Sequence, residues 1–294
     1  MSFITYLING ISLGSVYAII ALGYTMVYGI AKMLNFAHGD IIMVGGFAVF
    51  TITTTLGLPP IVGILVAVVI CTVLGLTIER IAYKPLRNAA SPLAVLITAI
   101  GVSYLLQNLA LLIFGANTKS FTSVVNFPGI KLADGVINIT GEAIVTILSC
   151  VIIMIVLTLF VNKTKAGQAM LAVSEDKGAA QLMGINVNGT IALTFAIGSA
   201  LAAIAGVLLC SSYPSLTPYT GAMPGIKAFV AAVFGGIGSI PGAMIGGILL
   251  GIIEIFGKAY ISSQMADAIV FGVLIIVLLV KPTGILGKNI QEKV

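Results

Sequence analysis

The chain has 294 residues, of which 59% are apolar and only 8% are charged, and its mean hydropathy is +1.19. A soluble globular domain has about a quarter of its residues charged, so this composition excludes one and indicates an integral membrane protein. The net charge of +5 does not indicate nucleic-acid binding, because the basic residues are scattered and form no arginine-rich patch.

Nine apolar runs follow one another along the chain and indicate membrane spans. Lipid admits only helices or closed barrels, because unpaired backbone groups are costly in hydrocarbon, and the runs lack the alternation of barrel strands. We therefore predict one all-α transmembrane domain over residues 1–294, a polytopic bundle of eight to ten transmembrane helices with nine as the count. The runs lie at about residues 3–31, 40–56, 60–82, 92–114, 143–162, 189–211, 224–236, 241–258 and 266–281.

The polar sequence KMLNFAHGD, at residues 32–40, separates the first two runs. It contains the only histidine, His38, together with Asn35 and Asp40. Ionisable groups within a membrane are functional by default, so His38 is interpreted as a gating, relay or ligand-contacting residue, or else as a cap on the end of the first helix. A single histidine with no second histidine or cysteine nearby does not make a metal site.

Basic residues mark three segments, namely two loops and the C-terminal tail, which we predict to be cytoplasmic. This prediction places the N-terminus outside and the C-terminus inside, and it makes residues 115–142 the largest external loop. The turn signals of that loop include Asp134 and Gly135. The basic residues are Arg80, Lys84 and Arg87 in the first segment, Lys163, Lys165 and Lys177 in the second, and Lys281, Lys288 and Lys293 in the third.

The second basic segment, residues 163–188, is a polar loop between two apolar runs. Ser174 is predicted to cap a short helix whose first turn is acidic, and Gly184 is predicted to end it in the C′ position. The expected helix spans roughly Ser174 to Met183. A helix at the water boundary suits docking to a partner, and an amphipathic linker that rests on the bilayer explains it equally well.

A second interruption, GGIGSIPG at residues 235–242, resembles the first in being flanked by apolar runs. Broken helices in matching positions of two halves point to a transport pathway, because irregular backbone inside a bilayer must line a cavity or be buried in protein. We predict two related halves, at about residues 1–115 and 143–290. Ordinary surface loops are the alternative for both breaks.

Glycines spaced four residues apart are predicted to let helices approach closely where no hydrophobic force drives their association. Glu254 lies four residues before Lys258, and the two side chains are expected to pair at the outer end of their span. The glycine pairs are Gly10/Gly14, Gly242/Gly246 and Gly247/Gly251.

No nucleotide-binding motif is found. The nearest glycine–lysine sequence, residues 251–259, has five residues between its glycines and no Ser or Thr after the lysine. We therefore expect no enzymatic activity and no bound cofactor in this chain, so that energy must come from a partner or from an ion gradient.

With these residues in view, the chain resembles the LivH-type permease subunit of bacterial ABC importers for branched-chain amino acids, over essentially its whole length. The most specific parts are residues 10–40, with LNFAHGD, residues 172–186, AVSEDKGAAQLMGIN, and residues 234–254, FGGIGSIPGAMIGGILLGIIE.

The resemblance implies a permease subunit of the bacterial plasma membrane that works with several partners. These are a second homologous permease subunit, two cytoplasmic ATPase subunits that bind the ATP, and an external substrate-binding protein that delivers the amino acid. Gly178 departs from the family, which often has an acidic residue before its alanine pair. The resemblance also implies that the loop helix couples the permease to the ATPase subunits. Its candidate coupling residues are Ser174, Glu175, Ala179, Ala180, Gly184 and Ile185.

The resemblance also assigns the first break to the family's motif, through Asn35, Phe36, His38, Gly39 and Asp40. Polar groups of the first run and the glycines of the second break add to the candidates. The complete set of candidates for the translocation path is Tyr24, Thr25, Asn35, Phe36, His38, Asp40, Gly235 and Gly236.

Other functions remain possible from the sequence. A permease for urea, another amide or another amino acid would look alike. An ion- or proton-coupled secondary transporter would also have paired broken helices, but it would bury coupling carboxylates at the midplane, whereas Asp40, Glu254 and Asp267 are expected near helix ends. A passive channel would need a selectivity ring, and the sequence gives no sign of one.

Overall fold

The computed structural model describes residues 3–87, 92–132 and 137–287, and each of the nine predicted apolar runs forms a helix within them. A π-helical turn, Thr51–Thr55, extends α2, and a second one, Glu79–Tyr83, followed by a 3-10 turn, Lys84–Leu86, extends α3. The helices are α1 (Phe3–Ala31), α2 (His38–Phe50), α3 (Pro60–Ile78), α4 (Pro92–Phe114), α5 (Gly141–Lys163), α6 (Lys165–Glu175), α7 (Lys177–Leu182), α8 (Val187–Ser212), α9 (Ala222–Gly235), α10 (Ile240–Tyr260) and α11 (Ala266–Val280).

Six of the described helices are long and apolar enough to cross a membrane by length and composition, namely α1, α3, α4, α5, α8 and α10. Two other apolar helices, α9 and α11, have only 14 and 15 residues. The protein is therefore a multi-pass helical membrane protein, as predicted, but the nine runs are not nine full-length spans.

The predicted external loop contains short strands that the sequence analysis did not foresee. They are β1 (Lys119–Ser120), β2 (Ile130–Leu132) and β3 (Ile137–Ile139), and a fourth strand, β4 (Ser215–Leu216), lies in the connection between α8 and α9. Strand β2 pairs antiparallel with β3, whereas β1 pairs antiparallel with β4 and so ties the loop to the connection between α8 and α9. Asp134, Gly135, Lys288 and Lys293 lie outside the described residues.

The central helix of the bundle is α1, in which residues 12–27 are all buried. A helix that is apolar on every side is typical of a bundle core. Its glycines Gly10 and Gly14 face α10, since a Cβ added at Gly14 would lie 2.6 Å from the Cα of Ile248, and one added at Gly251 would meet the backbone of Gly14. Gly242 and Gly246 face α9 in the same way. The predicted glycine-mediated packing is therefore confirmed.

The first break folds back into the bundle. Helix α1 ends at Ala31, Lys32 has a positive φ of 57°, and α2 begins at His38, whose ring lies 4.6 Å from the ring of Tyr24. Tyr24 is seven residues before the end of α1, so α2 starts about 10 Å inside that end at 1.5 Å per residue.

The second break is packed as well. Gly235 and Gly236 are buried, and Gly236 has a φ of 103°, which favours glycine. The C-terminal segment covers this turn, since the N–H groups of Ile285 and Leu286 donate to the carbonyl oxygens of Phe234 and Gly235, each over 2.9 Å. Ser239 then caps α10 by accepting from the N–H of Gly242 over 3.2 Å.

The two short helices that adjoin the breaks meet at their N-termini. Gly39, in the first turn of α2, lies against Gly221 and Gly225 at the start of α9, and a Cβ added at Gly39 would be 2.6 Å from the carbonyl oxygen of Gly221. From this junction α2 and α9 run toward opposite ends of the bundle. The relation between two halves of the chain stays a prediction.

Candidate functional site

The three basic segments lie at one end of the bundle, which we call the α7 end. Lys177 of α7 donates from Nζ to the carbonyl oxygen of Ala31, where α1 ends, over 3.1 Å. The hydroxyl of Tyr83, after α3, donates to Asn35 Oδ1 over 3.1 Å. The third segment, around Lys281, follows α11 and covers the break after α9, which lies against Gly29.

The polar loop forms two helices, so the predicted single helix from Ser174 to Met183 is wrong. The hydroxyl of Ser174 is no cap, because it donates to the carbonyl oxygen of Leu171 over 2.7 Å inside α6. Asp176 caps α7 instead, accepting from the N–H groups of Gly178 and Ala179 over 2.7 and 2.9 Å. An ionised carboxylate is the stronger acceptor at the positive end of a helix, which explains the shift of two residues.

The end of α7 agrees with the prediction. Gly184 has a φ of 80°, and the N–H of Ile185 donates to the carbonyl oxygen of Ala180 over 3.0 Å, as in a glycine-terminated helix. Among the candidate coupling residues, Glu175 and Ala179 are exposed, whereas Ala180 is buried. The candidates therefore lie close together, at the end of α6, in α7 and in the turn after it, which we call the α7 corner. Some of them are exposed and others are buried, so they do not form one continuous surface.

Two exposed apolar side chains at this corner were not among the predicted residues. Leu182 is 90% exposed and Met183 is 82% exposed, directly before Gly184. Their position beside the predicted C′ glycine was the sequence signal that could have identified them. Adjacent exposed apolar side chains on a polar loop offer a contact surface for another protein or for the bilayer.

Polar contacts of Arg87 join the segment after α3 to the start of α8, beside α7. The guanidinium of Arg87 contacts both the carboxylate of Glu79 and the side-chain amide oxygen of Asn188, at the start of α8. Glu79 is buried, so it is more than the marker of a helix end that the sequence suggested. Burial lowers the pKa of Lys177, and the nearby positive charges of Arg87 and Lys32 lower it further.

Most of the path candidates gather around the start of α2. The ring of Phe36 lies 5.8 Å from that of Phe229 on α9, and Asp40 Oδ1 accepts from Gln107 Nε2 over 2.9 Å. Within the described part of the chain, Thr25 Oγ1, His38 Nε2 and Asp40 Oδ2 are buried without a hydrogen-bond partner. Gly235 and Gly236 lie apart from this group, at the far end of α9.

A second cluster, which we call the Glu254 cluster, lies between the middle of α1 and the end of the bundle opposite to α7. Glu254 Oε1 accepts from Lys227 Nζ over 2.8 Å and from Lys258 Nζ over 2.6 Å, while Oε2 accepts from the hydroxyl of Tyr17 over 2.8 Å. Lys227 also pairs with Asp267 over 2.7 Å. The cluster therefore joins α1, α9, α10 and α11.

This arrangement corrects the prediction for Glu254. Its pairing with Lys258 is confirmed, but the carboxylate is only 1% exposed and has three partners, so it is not a simple interfacial ion pair. Lys227 was missed, although a lone lysine in the apolar run of α9 is itself a signal, because charged side chains in such segments are costly unless paired.

Asp40 and Asp267 lie in the first turns of α2 and α11, so their expected position near helix ends is confirmed, but a position near a helix end does not keep a carboxylate exposed. Asp40 and Glu254 are each 1% exposed, so buried carboxylates are present after all. The positions of these carboxylates are therefore compatible with an ion-coupled transporter as well as with a permease.

Two clefts open beside the Glu254 cluster. The smaller has a volume of about 300 Å³ and is lined by Tyr17, Tyr213, Thr217, Thr220, Glu254 and Lys258, among others. The larger, of about 480 Å³, lies between α1, the start of α5 and the end of α8, and it shares Leu13 and Tyr213 with the first. The smaller cleft combines charges, hydroxyls and apolar groups, as binding sites for small molecules do.

Comparisons with known proteins show similarity to permeases of amino acid transport systems. A family model described as "Branched-chain amino acid transport system / permease component" matches residues 6–279. Three relatives are 45–46% identical to the chain, each over 99% of this chain and 98% of the relative. They are the high-affinity branched-chain amino acid transport system permease proteins LivH of Salmonella typhimurium (45%) and Escherichia coli strain K12 (46%), and BraD of Pseudomonas aeruginosa (45%).

Proposed function

The chain belongs to the family of branched-chain amino acid transport permease components, and on that basis we propose that it is the permease subunit of an ATP-driven importer of branched-chain amino acids. The observation that carries this function is the separation of two features along α1. A short helix with exposed apolar side chains lies at one end, and a solute-sized cleft lies at the other.

The proposed complex contains a second homologous permease subunit, two cytoplasmic ATPase subunits and an external substrate-binding protein. The chain itself binds no cofactor, and ATP is hydrolysed by the partners. Leu182 and Met183 support docking to an ATPase subunit, because they offer apolar surface that nothing else in the described chain covers.

We place the α7 end in the cytoplasm of a bacterial cell and the Glu254 cluster on the external side of the plasma membrane. The gathering of the three basic segments at the α7 end supports this orientation, since cytoplasmic loops carry an excess of lysine and arginine. The N-terminus is then outside and the C-terminus inside.

The route of the mechanical coupling follows from the helices that touch α7. The carbonyl oxygen of Ala31, the last residue of α1, accepts a hydrogen bond from Lys177 on α7. Helix α8 begins at Val187, directly after the loop, and Asn186 caps it by accepting from the N–H of Gly189 over 2.9 Å. Both helices reach the cleft at their other ends, through Leu13 and Leu209. A push on α7 by a closing ATPase dimer is thus carried to the cleft by two rigid helices.

The direct test is transport by the reconstituted complex. The chain is copurified with its partners, placed in proteoliposomes, and assayed for uptake of radiolabelled leucine with the binding protein outside and ATP inside. We expect uptake that requires ATP and stops when the ATPase subunits are omitted. Uptake driven by a proton gradient without those subunits would overturn the proposal in favour of a secondary transporter, which the buried Asp40 would then serve.

The substrate is tested in the same assay. Leucine, isoleucine and valine should compete for uptake, whereas urea should not. Competition by urea or another amide, with none from the aliphatic amino acids, would retain the permease function and replace the substrate.

A further inference from the structure

Lys258, an exposed member of the Glu254 cluster, borders the smaller cleft. The side chain of Lys258 is 38% exposed, whereas those of Lys227 and Glu254 are 7% and 2% exposed. Lys227 is additionally held by Asp267 over 2.7 Å. Of the two lysine partners of Glu254, Lys258 is therefore the one that can move into water without leaving a buried lysine unpaired.

The charges of the cluster balance when it is complete. Two lysines face two carboxylates, Glu254 and Asp267. If Lys258 moves away, Glu254, Lys227 and Asp267 together carry one excess negative charge, and the cleft mouth holds one positive charge. A ligand with one ammonium and one carboxylate group would satisfy both, because each separated charge regains a partner of opposite sign.

The remaining lining fits the rest of such a ligand. Leu13 and Leu209 are buried apolar residues of the cleft, and the hydroxyls of Thr217 and Thr220 stand 3.2 Å from each other beside them. A volume of about 300 Å³ is at the small end of the range for ligand sites, which runs from roughly 300 to 1,000 Å³. The cleft therefore suits one small amphiphilic molecule.

We propose that this cleft is a transient binding site for a zwitterionic aliphatic amino acid, in which the ligand's ammonium replaces Lys258 at Glu254 and Lys258 takes the ligand's carboxylate. The inference rests on the proposed import function and locates the substrate's first contact with this chain. Exchange of one ion pair for two keeps the binding weak, because the new pairs must offset the one that is broken.

The test uses the assembled complex that transports in the uptake assay, without the binding protein. Ser215, an exposed residue of the cleft, is changed to cysteine (Ser215→Cys), while the native Cys71, Cys150 and Cys210 are buried. Reaction of the new thiol with a water-soluble maleimide is timed with and without leucine. At a leucine concentration of about twice its Kd, labelling should slow about threefold, because the free fraction is 1/(1 + [L]/Kd).

Two analogues separate a zwitterion site from a simple apolar cleft. Leucinamide lacks the carboxylate and 4-methylpentanoate lacks the ammonium, so neither should protect Ser215→Cys. Gln264→Cys, in the exposed turn after α10, is the matched control and should not be protected by any of the three. Equal protection by leucine and its analogues, or no protection by leucine in a complex that transports, would overturn the site and leave the import function standing.

Lys258 provides the second measurement. Lys258→Met should abolish the protection by leucine, and Lys258→Arg should retain it, since the role requires a cation at the cleft mouth. Direct binding of radiolabelled leucine to the two variant complexes is measured in parallel. Protection and binding unchanged in Lys258→Met would refute the exchange of ion pairs.

Discussion

Lys177 on α7 donates a hydrogen bond to the carbonyl oxygen of Ala31, the last residue of α1, over 3.1 Å. This bond joins the proposed docking helix to the most deeply buried helix of the bundle. We predict that Lys177→Met inserts normally but transports severalfold less leucine per ATP hydrolysed, because α7 can then move without α1. Lys165→Met removes an exposed charge from the same loop and should leave the ratio unchanged. Equal ratios in both variants would contradict the role of the bond.

The exposed apolar pair on α7 should dominate ATPase docking. We expect the double variant Leu182→Ser, Met183→Ser to fold and insert, since neither side chain packs within the chain. Its affinity for the ATPase subunits should fall by at least about tenfold, the effect of losing roughly 1.4 kcal/mol, which copurification at graded subunit concentrations would measure. Leu58→Ser, an exposed leucine in the loop at the opposite end, serves as control and should copurify normally.

The adjacent alanines of α7 should respond differently to the same change. Ala179 is exposed, so Ala179→Glu should fold and lose only ATPase docking. Ala180 is 4% exposed, and burying a charge there costs several kcal/mol, so Ala180→Glu should lower the thermal midpoint of the purified chain in detergent. If both variants melted at the same temperature as the parent, the packing of α7 against the bundle would be wrong.

Glycine at the contact between α1 and α10 should tolerate no side chain. An added methyl group at Gly251 would meet the backbone of Gly14, so Gly251→Ala should destabilise the bundle by about 1–3 kcal/mol. At Gly101 on α4, nothing lies within 4 Å of an added Cβ, and Gly101→Ala should be neutral or stabilising by up to about 1 kcal/mol. Thermal unfolding of both variants in the same detergent would show whether the two effects differ in sign.

Asp40 distinguishes an ATP-driven permease from an ion-coupled transporter. Asp40→Asn keeps an oxygen that can accept from Gln107 and removes only the ionisable carboxylate. We predict that ATP-driven leucine uptake persists within about twofold of the parent value, because no proton carried by this side chain enters the proposed cycle. A complete loss of uptake, in a variant with unchanged thermal stability and ATPase binding, would assign a proton-relay role to Asp40.

Local features of this molecule were predictable from sequence because short-range physics sets them. The nine apolar runs became helices, Gly184 ended α7, and the glycines of α1 and α10 faced each other. The start of α7 at Asp176 was harder to predict, because Ser174 and Asp176 are both good helix caps and differ little in capping free energy.

Long-range polar contacts were not predictable in this way. Tyr17 and Glu254 are 237 positions apart, and no periodicity within either run indicates that they meet. The pair Glu254–Lys258 was visible because its partners are neighbours on one helix, whereas Lys227 reaches Glu254 from another helix. The sequence thus predicted the contact between Glu254 and Lys258, whereas the contacts of Glu254 with Lys227 and Tyr17 depend on how the helices pack.

The head-to-head junction of α2 and α9 has an electrical consequence. Each helix carries a partial positive charge at its N-terminus, and the contact of Gly39 with Gly221 brings these two charges together inside the protein. Asp40, the residue after Gly39, adds a buried carboxyl group in the first turn of α2, where a negative charge is favoured by the helix dipole. A buried acidic side chain therefore offsets part of the positive charge at the point where the two half-length helices meet.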